Sequence, residues 1–439
     1  MLKIVKFGGS SLANTKQFKK VKDIINSDSS RRLVVVSAIG KVDSNDNKIT
    51  DLLYLCHAHT KYNFPCDSIF KIIKDRFILI KRELNLAYDI EKDLDDLYYQ
   101  LDKNIDLDYL VSKGEYFTGR LMAEYLNYHF IDAKDLIYFN YDNTFDYPKI
   151  EKKLQEILKD HPNLVIPGFY GSLPNGKLKI MSRGGCDITG SVIANAINAD
   201  IYENWTDVSG IYMADPNIVN KPKRIDIINY LELRELSYMG ASVLHEEAIL
   251  PVKDKNIPIY ILNTNKPQSK GTIIKNDIND DISINSITGI AGKKDFSIIT
   301  IKKNHMSNEI GLIRKALAIF EKYFISIEHI PSGIDSFSII VESIMINDIK
   351  YDLISELKKE CKADIVTIID NIALIATVGR TMKNIAGISG RLFSALGNKG
   401  INISVISQTS DEINIIIGVS NDDYNNTINT IYNEFNDNE

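Results

Sequence analysis

LKIVKFGGSSLANTKQFKKVKDIINSDSSRRLVVVSA, residues Leu2 to Ala38, reads as strand, helix and strand in immediate succession. Leu2 to Phe7 alternates as a buried strand and runs into Gly8, Gly9, Ser10 and Ser11. The apolar spacing predicts an amphipathic helix over about Thr15 to Ile25, and Leu33 to Ser37 is a second apolar strand. Strands joined through a helix run parallel, so the expected fold is α/β: a mainly parallel central sheet flanked by helices. Ligands of such sheets bind in the crevice beyond the carboxyl ends of the strands. Lys6-Phe7-Gly8-Gly9 and Ser37-Ala38 both fall at such ends. A lysine beside two glycines there points to a bound phosphate; the alternative is a surface lysine on an edge strand. No G-x-x-x-x-G-K-[ST] occurs, so the phosphate site is not a P-loop.

Leu164 to Tyr170 reads as another buried strand, followed by MSRGGCDITG, Met181 to Gly190, and then an apolar helical run from Ser191 to Ile197. Gly184 and Gly185 let the backbone approach a ligand closely, with positive φ open to them. Arg183 offers a planar fork for a carboxylate or phosphate. Asp187 falls where the helix begins, so its plain role is an N-cap. The free amides of such a helix start also attract anions. Lys48 to Tyr54 carries Thr50 into a helical region that continues to about Asp102, where His57 and His59 are ordinary histidines. In VSKGEYFTGRLMAEYL, from Val111, Glu115 stands just past Gly114 and reads as an acid at a helix start, favoured there by the dipole. Ile201 to Asp207 is a strand ending in Trp205-Thr206-Asp207, and VSGIYMADP, Val208 to Pro216, is a loop.

At 439 residues two or three domains are expected, and 44% hydrophobic with 25% charged residues is a globular composition. A formal net charge of −6 with no basic stripe excludes a nucleic-acid partner. The four cysteines (Cys56, Cys66, Cys186, Cys361) form no C-x-x-C pair, which argues against a zinc site or a disulfide framework. There is no signal peptide and no apolar run long enough for a membrane, so a reducing cytoplasm is expected. Asn263 to Ile284 turns Asn/Asp-rich and marks a boundary. Beyond it lies a repeat: Ile325 to Ile330 matches Ile401 to Ile406, 76 positions on, and the same offset pairs Gly311 with Gly387, Asp335 with Asp411, and Ile339-Ile340-Val341 with Ile415-Ile416-Ile417. Each copy reads strand, helix, strand, strand, helix, a small α+β unit.

VKFGGSSL (Val5 to Leu12), VVVSA (Val34 to Ala38), VSKGE (Val111 to Glu115), SRGGCD (Ser182 to Asp187), WTDVSGIYMADP (Trp205 to Pro216) and MKNIAGISGRLFSALGNKGINISVISQTS (Met382 to Ser410) together resemble the aspartokinases. These belong to the amino-acid kinase superfamily and carry two C-terminal ACT domains of ferredoxin-like α+β fold. The resemblance implies a kinase domain at 1–283, a first ACT domain at 284–370 and a second at 371–439, its sheet completed by a strand near 285–292. It implies transfer of the γ-phosphoryl group of ATP, with Mg²⁺ on the nucleotide, to the side-chain carboxylate of L-aspartate. The product, 4-phospho-L-aspartate, opens the route to lysine, threonine and methionine.

By the same resemblance Lys6 and Asp187 are catalytic, and Ser37, Thr50, Glu115 and Arg183 hold aspartate, Glu115 by its ammonium and Arg183 by a carboxylate. The nucleotide falls to Gly8, Gly9, Ser10, Gly184, Gly185, Thr206, Asp207, Tyr212 and Asp215. An effector amino acid, lysine or threonine, falls to Met306, Gly311, Glu328, Ser332 and Asp335, with lysine favoured by two acids facing two ammonium groups. No metal ligand of the protein's own is implied. The expected assembly is a homodimer, or a dimer of dimers, through the ACT domains, whose strand edges need covering. Asn217 stands where the family commonly has arginine, Ser242 where many members have lysine, and Glu246 where proline is usual. The alternatives are a kinase of glutamate or acetylglutamate, which would lack VSKGE, WTDVSGIY and the ACT pair, and a non-catalytic ACT sensor. Without a dinucleotide G-x-G-x-x-G, a fused homoserine dehydrogenase is not expected.

Overall fold

The structure, a computed structural model, describes residues 1–182, 184–241, 244–276, 286–408 and 413–436. They form two compact units, discontinuous in sequence. The first holds residues 1–211, Asp226–Tyr230 and the stretch after 243 up to Ile278; the second begins with Tyr212–Ile225, takes the segment from Leu231, and then runs from Asn279 to the C-terminus.

In the first unit the opening pattern becomes β1 (Lys3–Phe7), α1 (Thr15–Asn26) and β2 (Arg31–Val36). Asn14 caps α1 by accepting from the Gln17 amide at 3.1 Å, and the helix buries Phe18, Val21, Ile24 and Ile25 on one face. Four helices follow: α2 (Ile49–Lys61), α3 (Asp67–Leu84), α4 (Ile90–Tyr99) and α5 (Leu107–Leu126). Then come β3 (His129–Phe130), α6 (Tyr147–Asp160), β4 (Leu164–Pro167), β5 (Tyr170–Ser172), β6 (Leu178–Ile180), α7 (Gly185–Ala196), β7 (Ile201–Thr206) and β8 (Ile227–Ile228). After α8 (Tyr230–Tyr238), most of which belongs to the second unit, the first unit closes with α9 (Leu250–Lys253), β9 (Ile259–Asn263) and β10 (Thr272–Ile274).

The sheet order is β3-β4-β2-β1-β7-β9-β10-β8, parallel except for the β9–β10 pair. β1 is therefore central, between β2 and β7, and Lys6 is 7% exposed. The surface-lysine reading falls, because an interior strand buries both faces. The strand expected over Leu164 to Tyr170 breaks in two where Phe169 takes φ +78°. Tyr170–Ser172 then pairs with β6 in a ribbon of its own.

A buried ion cluster ties β1, β2 and β7 at their amino ends. Glu203, 2% exposed, accepts from Arg31 Nε at 2.8 Å and Trp205 Nε1 at 2.9 Å and pairs with Lys3 Nζ at 2.9 Å. Glu203→Gln keeps the volume but leaves two cations short of charge. We expect a loss of about 2 kcal/mol, read as a fall in Tm of about 4–8 °C, with the KM of any substrate unchanged. A Tm within one degree of wild type would show that solvent already screens the cluster.

The second unit continues with β11 (Gly289–Lys302), α10 (Leu312–Lys322), β12 (Ser336–Glu342), α11 (Lys350–Cys361), β13 (Ile365–Val378), α12 (Ile388–Asn398), β14 (Val405–Ser407), β15 (Asn414–Ser420) and α13 (Tyr424–Asn436). Its five strands run antiparallel in the order β12-β11-β13-β15-β14. β11 and β13 are long enough to serve both repeat copies. Gly289 to Lys293 faces Val378 to Leu374, and beyond a bulge the rest of β11 lies between β12 and the start of β13. Gly311 and Gly387 cap α10 and α12 in the same left-handed conformation, φ +83° and +92°, as their repeat register requires. The copies are not identical. Ile325 to Ile330, expected as a strand, touches β12 only through an isolated bridge from His329 to Ile340, whereas β14 is a true edge strand. Asp411 and residues 277–285 lie outside the described residues.

Candidate active site

The carboxyl ends of β1, β2 and β7 open with the start of α7 onto one crevice of about 1240 Å³. Its walls bring together Lys6, Gly8, Gly9, Ser10, Ser37, Thr50, Glu115, Gly184, Gly185, Asp187, Thr206 and Asp207, twelve of the residues singled out in the sequence. They come from six separate chain segments, and the parallel sheet gathers them by ending its strands on one side. Arg183 and Ser242 lie outside the described residues. Tyr212 and Asp215 fall in the second unit. There the Asp215 carboxylate accepts from the Asn217 amide at 2.8 Å and its side-chain amide at 2.9 Å, closing a turn.

Lys6 Nζ stands 2.5 Å from Asp187 Oδ1, and Asn204 Nδ2 donates to the same oxygen at 2.7 Å. Asp187 is thus not the N-cap of α7. Gly184 holds that place in the left-handed region at φ +80°, and Asp187 is the third helical residue with its side chain turned to β1. An added Cβ on Gly184 would stand 2.4 Å from His245 Cβ, so packing as well as φ demands glycine there.

Glu115 also departs from the expected place. It is the ninth residue of α5, far from the helix start, where Asp106 supplies the cap. Its side chain is buried against the crevice, with Cys186 Sγ donating to Oε1 at 3.7 Å and Oε2 without a hydrogen-bond partner. Burial pushes the carboxyl up to about 8, while the amides of Ala38 and of Glu115 itself and the Cys186 thiol pull weakly the other way. An orphaned acceptor on a buried acid invites a cationic ligand group.

Motif reading missed several residues on the crevice walls and one that supports them. Asn204, which holds Asp187, stands in β7 between Glu203 and Trp205 and gives no signal except that it is polar in a buried strand. Lys41 and Lys48, flanking a polar loop, and Tyr54, one turn beyond Thr50 on α2, also line the walls. Phe169 lines it from its strained backbone, where its amide donates to Thr189 Oγ1 at 3.0 Å. The cations Lys6, Lys41 and Lys48 face Glu115, Asp43, Asp51, Asp187 and Asp207 across one cavity. Such mixed walls suit a ligand pair carrying phosphate, carboxylate and ammonium together.

The amino acid kinase family model matches residues 1–263, and an ACT domain model matches residues 375–435. Aspartokinase 3 of Bacillus subtilis (strain 168) is 36% identical, with 99% of this chain and 98% of the relative covered. The chain belongs to the aspartokinases. The fold agrees: the crystal structure of Clostridium acetobutylicum aspartate kinase is 49% identical over 99% of this chain and 100% of that one, with a TM-score of 0.91. E. coli aspartokinase III in complex with aspartate and ADP, 24% identical with 99% of each chain covered, shares the fold at a TM-score of 0.78. The crevice therefore sits in an aspartokinase fold, with Lys6, Glu115 and Asp187 of the family-like motifs on its walls.

Proposed function

We propose that this chain catalyses ATP-dependent phosphorylation of the side-chain carboxylate of L-aspartate to 4-phospho-L-aspartate. The observation that carries the reading is one crevice holding both a lysine–carboxylate pair, Lys6 with Asp187, and a buried acid, Glu115, with an unpartnered oxygen. The acceptor carboxylate is already ionised near neutral pH, so no general base is needed. The obstacle is pressing an anion against a polyanion, which cations and fixed amides relieve. Lys6 sits where it can neutralise the transferring phosphoryl group, and Asp187, itself fixed by Asn204, orients it. Gly8, Gly9, Gly184 and Gly185 bring bare backbone to the phosphates, with the Gly8 and Gly185 amides already donating to the Trp205 and Ser182 carbonyls at 3.0 and 3.1 Å, and Ser10, Thr206 and Asp207 complete that wall. Ser37 and Thr50 donate hydroxyl groups to aspartate, Arg183 grips a carboxylate, and Glu115 takes the ammonium. Tyr212 and Asp215 are assigned to the nucleotide by family resemblance alone.

Mg²⁺ would enter on the nucleotide. Among the described residues no group of three or more His, Cys, Asp and Glu forms a metal cage. A nucleotide-borne cation is carried mostly by phosphates and water, and a crevice carboxylate such as Asp207 would supply an oxygen. Bound there, it would neutralise phosphate charge. Aspartate-dependent ADP release by the purified chain tests the assignment. Release with glutamate or acetylglutamate instead, or none with any acceptor, would overturn it.

The second unit supports feedback control by an end-product amino acid, and we assign lysine. E. coli aspartokinase III is also known in complex with lysine and aspartate. The assigned place is the Met306 to Gly311 turn with Glu328, Ser332 and Asp335. Nothing lies within 4 Å of an added Cβ at Gly311, where α10 begins, so a ligand carboxylate has room to approach the helix start. The Glu328 carboxylate accepts from Tyr238 Oη at 2.6 Å, and Asp335 Oδ1 from the His305 amide at 3.0 Å. A lysine effector would have to share these acceptors. We expect lysine to inhibit, threonine to act more weakly, and Glu328→Gln to weaken lysine inhibition about tenfold, as loss of one charge-assisted hydrogen bond does. Inhibition by threonine alone, or an unchanged lysine response in the variant, sinks the assignment. We further assign a dimer through the edges of the five-stranded sheet, checked by light scattering.

A further inference from the structure

We infer that Arg76, on α3 and remote from every motif, is the positioning residue that sets one wall of the active crevice. Its guanidinium reaches two loops. Nη1 donates to the Asn47 carbonyl at 2.6 Å and to Asp46 Oδ1 at 3.4 Å, and Nη2 donates to the Gly40 carbonyl and lies 3.5 Å from the Ala13 carbonyl. Asp46 Oδ2 stands 3.2 Å from Nη2, closing an ion pair. Ala13 ends the turn that follows β1, and residues 40–48 form the loop that follows β2. Arg76 therefore staples together the loops beyond the two central strands.

The stapled loop is part of the site. Lys41, Val42, Asp43 and Lys48 line the crevice, and Val42 and Asp43 also line a separate cavity of about 620 Å³ on the loop's far side, where Arg76 lies. The loop is thus a wall shared by two cavities. Its contact with the phosphate-side loop is tight. The Gly40 amide donates to the Gly9 carbonyl at 2.9 Å, and a Cβ on Gly40 would stand 2.3 Å from the Gly9 carbonyl carbon. Most of the loop's other hydrogen bonds are internal, such as Val42 amide to Asp46 Oδ2 at 2.9 Å, so Arg76 is its tether to the helical layer. A planar fork with five donors suits several acceptors at once; a lysine ammonium does not. Displacing that wall moves Lys41 and Lys48 and, through Gly40, the Gly9–Ser10 peptide.

The inference rests on the proposed kinase reading, and the test separates the two. If wild type releases no ADP with aspartate, the functional reading has failed, whatever Arg76 does. Given an active wild type, Arg76→Ala is expected to lower kcat/KM for aspartate by about tenfold to a hundredfold, since misplacing reacting groups by an ångström costs that much. Arg76→Lys should fall between the two. Millimolar guanidinium, entering through the far-side cavity, should partly restore Arg76→Ala and leave wild type unchanged. Trypsin should cut Arg76→Ala faster at Lys41 or Lys48. Activity of Arg76→Ala within about threefold of wild type would overturn the inference. So would a loss that follows the fall in Tm and is untouched by guanidinium.

Discussion

Lys6→Ala lowers kcat by about a hundredfold or more, about 2.7 kcal/mol of barrier, while the protein stays folded. Lys6 is 7% exposed and stands 2.5 Å from Asp187, so its charge acts in a site where water screens little. Developing charge on a transferring phosphoryl group is stabilised by just such a fixed cation. The fold survives because Asp187 keeps its hydrogen bond from Asn204 and can take water from the crevice. If the interaction belongs to the transition state, kcat and kcat/KM fall together. Steady-state kinetics beside a thermal melt decide the matter. Near-normal turnover would remove Lys6 from the mechanism, and a collapsed melt would move it to the core.

Glu115→Gln raises the KM for aspartate by about tenfold to a hundredfold and removes its pH dependence. Burial holds the wild-type carboxyl protonated up to about pH 8, yet only the carboxylate can pair with an ammonium. In wild type kcat/KM for aspartate therefore rises with pH up to about 8 and then levels off. The glutamine variant has no proton to lose and gives a flat profile over the same range. Stability runs the other way. A folded acid with a raised pKa holds its proton more tightly than the unfolded chain does. The ligand-free protein thus loses stability, relative to Glu115→Gln, as pH climbs from the ordinary carboxylate range to about 8. Aspartate should cancel that loss by supplying the missing cation. A wild-type KM that is flat between pH 6 and 9 would mean the ammonium binds elsewhere.

The polar residues that sequence reading missed share a cause. Asn204 is visible only as a polar residue in a strand, yet it fixes the carboxylate that pairs with Lys6. Arg76 looks like any charged residue of an amphipathic helix, and besides the Asp46 carboxylate its acceptors are backbone carbonyls 29 to 63 positions away in sequence. Backbone acceptors are the same at every residue, so no pattern of letters announces them. Glu115 and Asp187 were legible as site residues but were set in the wrong local frame. Both were read as helix-start acids, because a Gly-flanked acid usually is one. In the structure α5 began eight residues earlier, and Gly184 had already capped α7.

What the sequence determined by itself was local or periodic. Alternation and the crossover helix required a parallel sheet, and the glycine pairs marked two turns that line one crevice. The 76-residue register required two copies of one module. Tertiary structure alone decided the rest. It put β1 between β2 and β7, which buried Lys6. It buried Glu115 of α5 against the crevice, and that burial raised its pKa. It ran β11 and β13 through both repeat copies as one sheet. Those outcomes depend on contacts between residues far apart in the chain, where burial and charge are fixed by neighbours that short-range patterns do not specify.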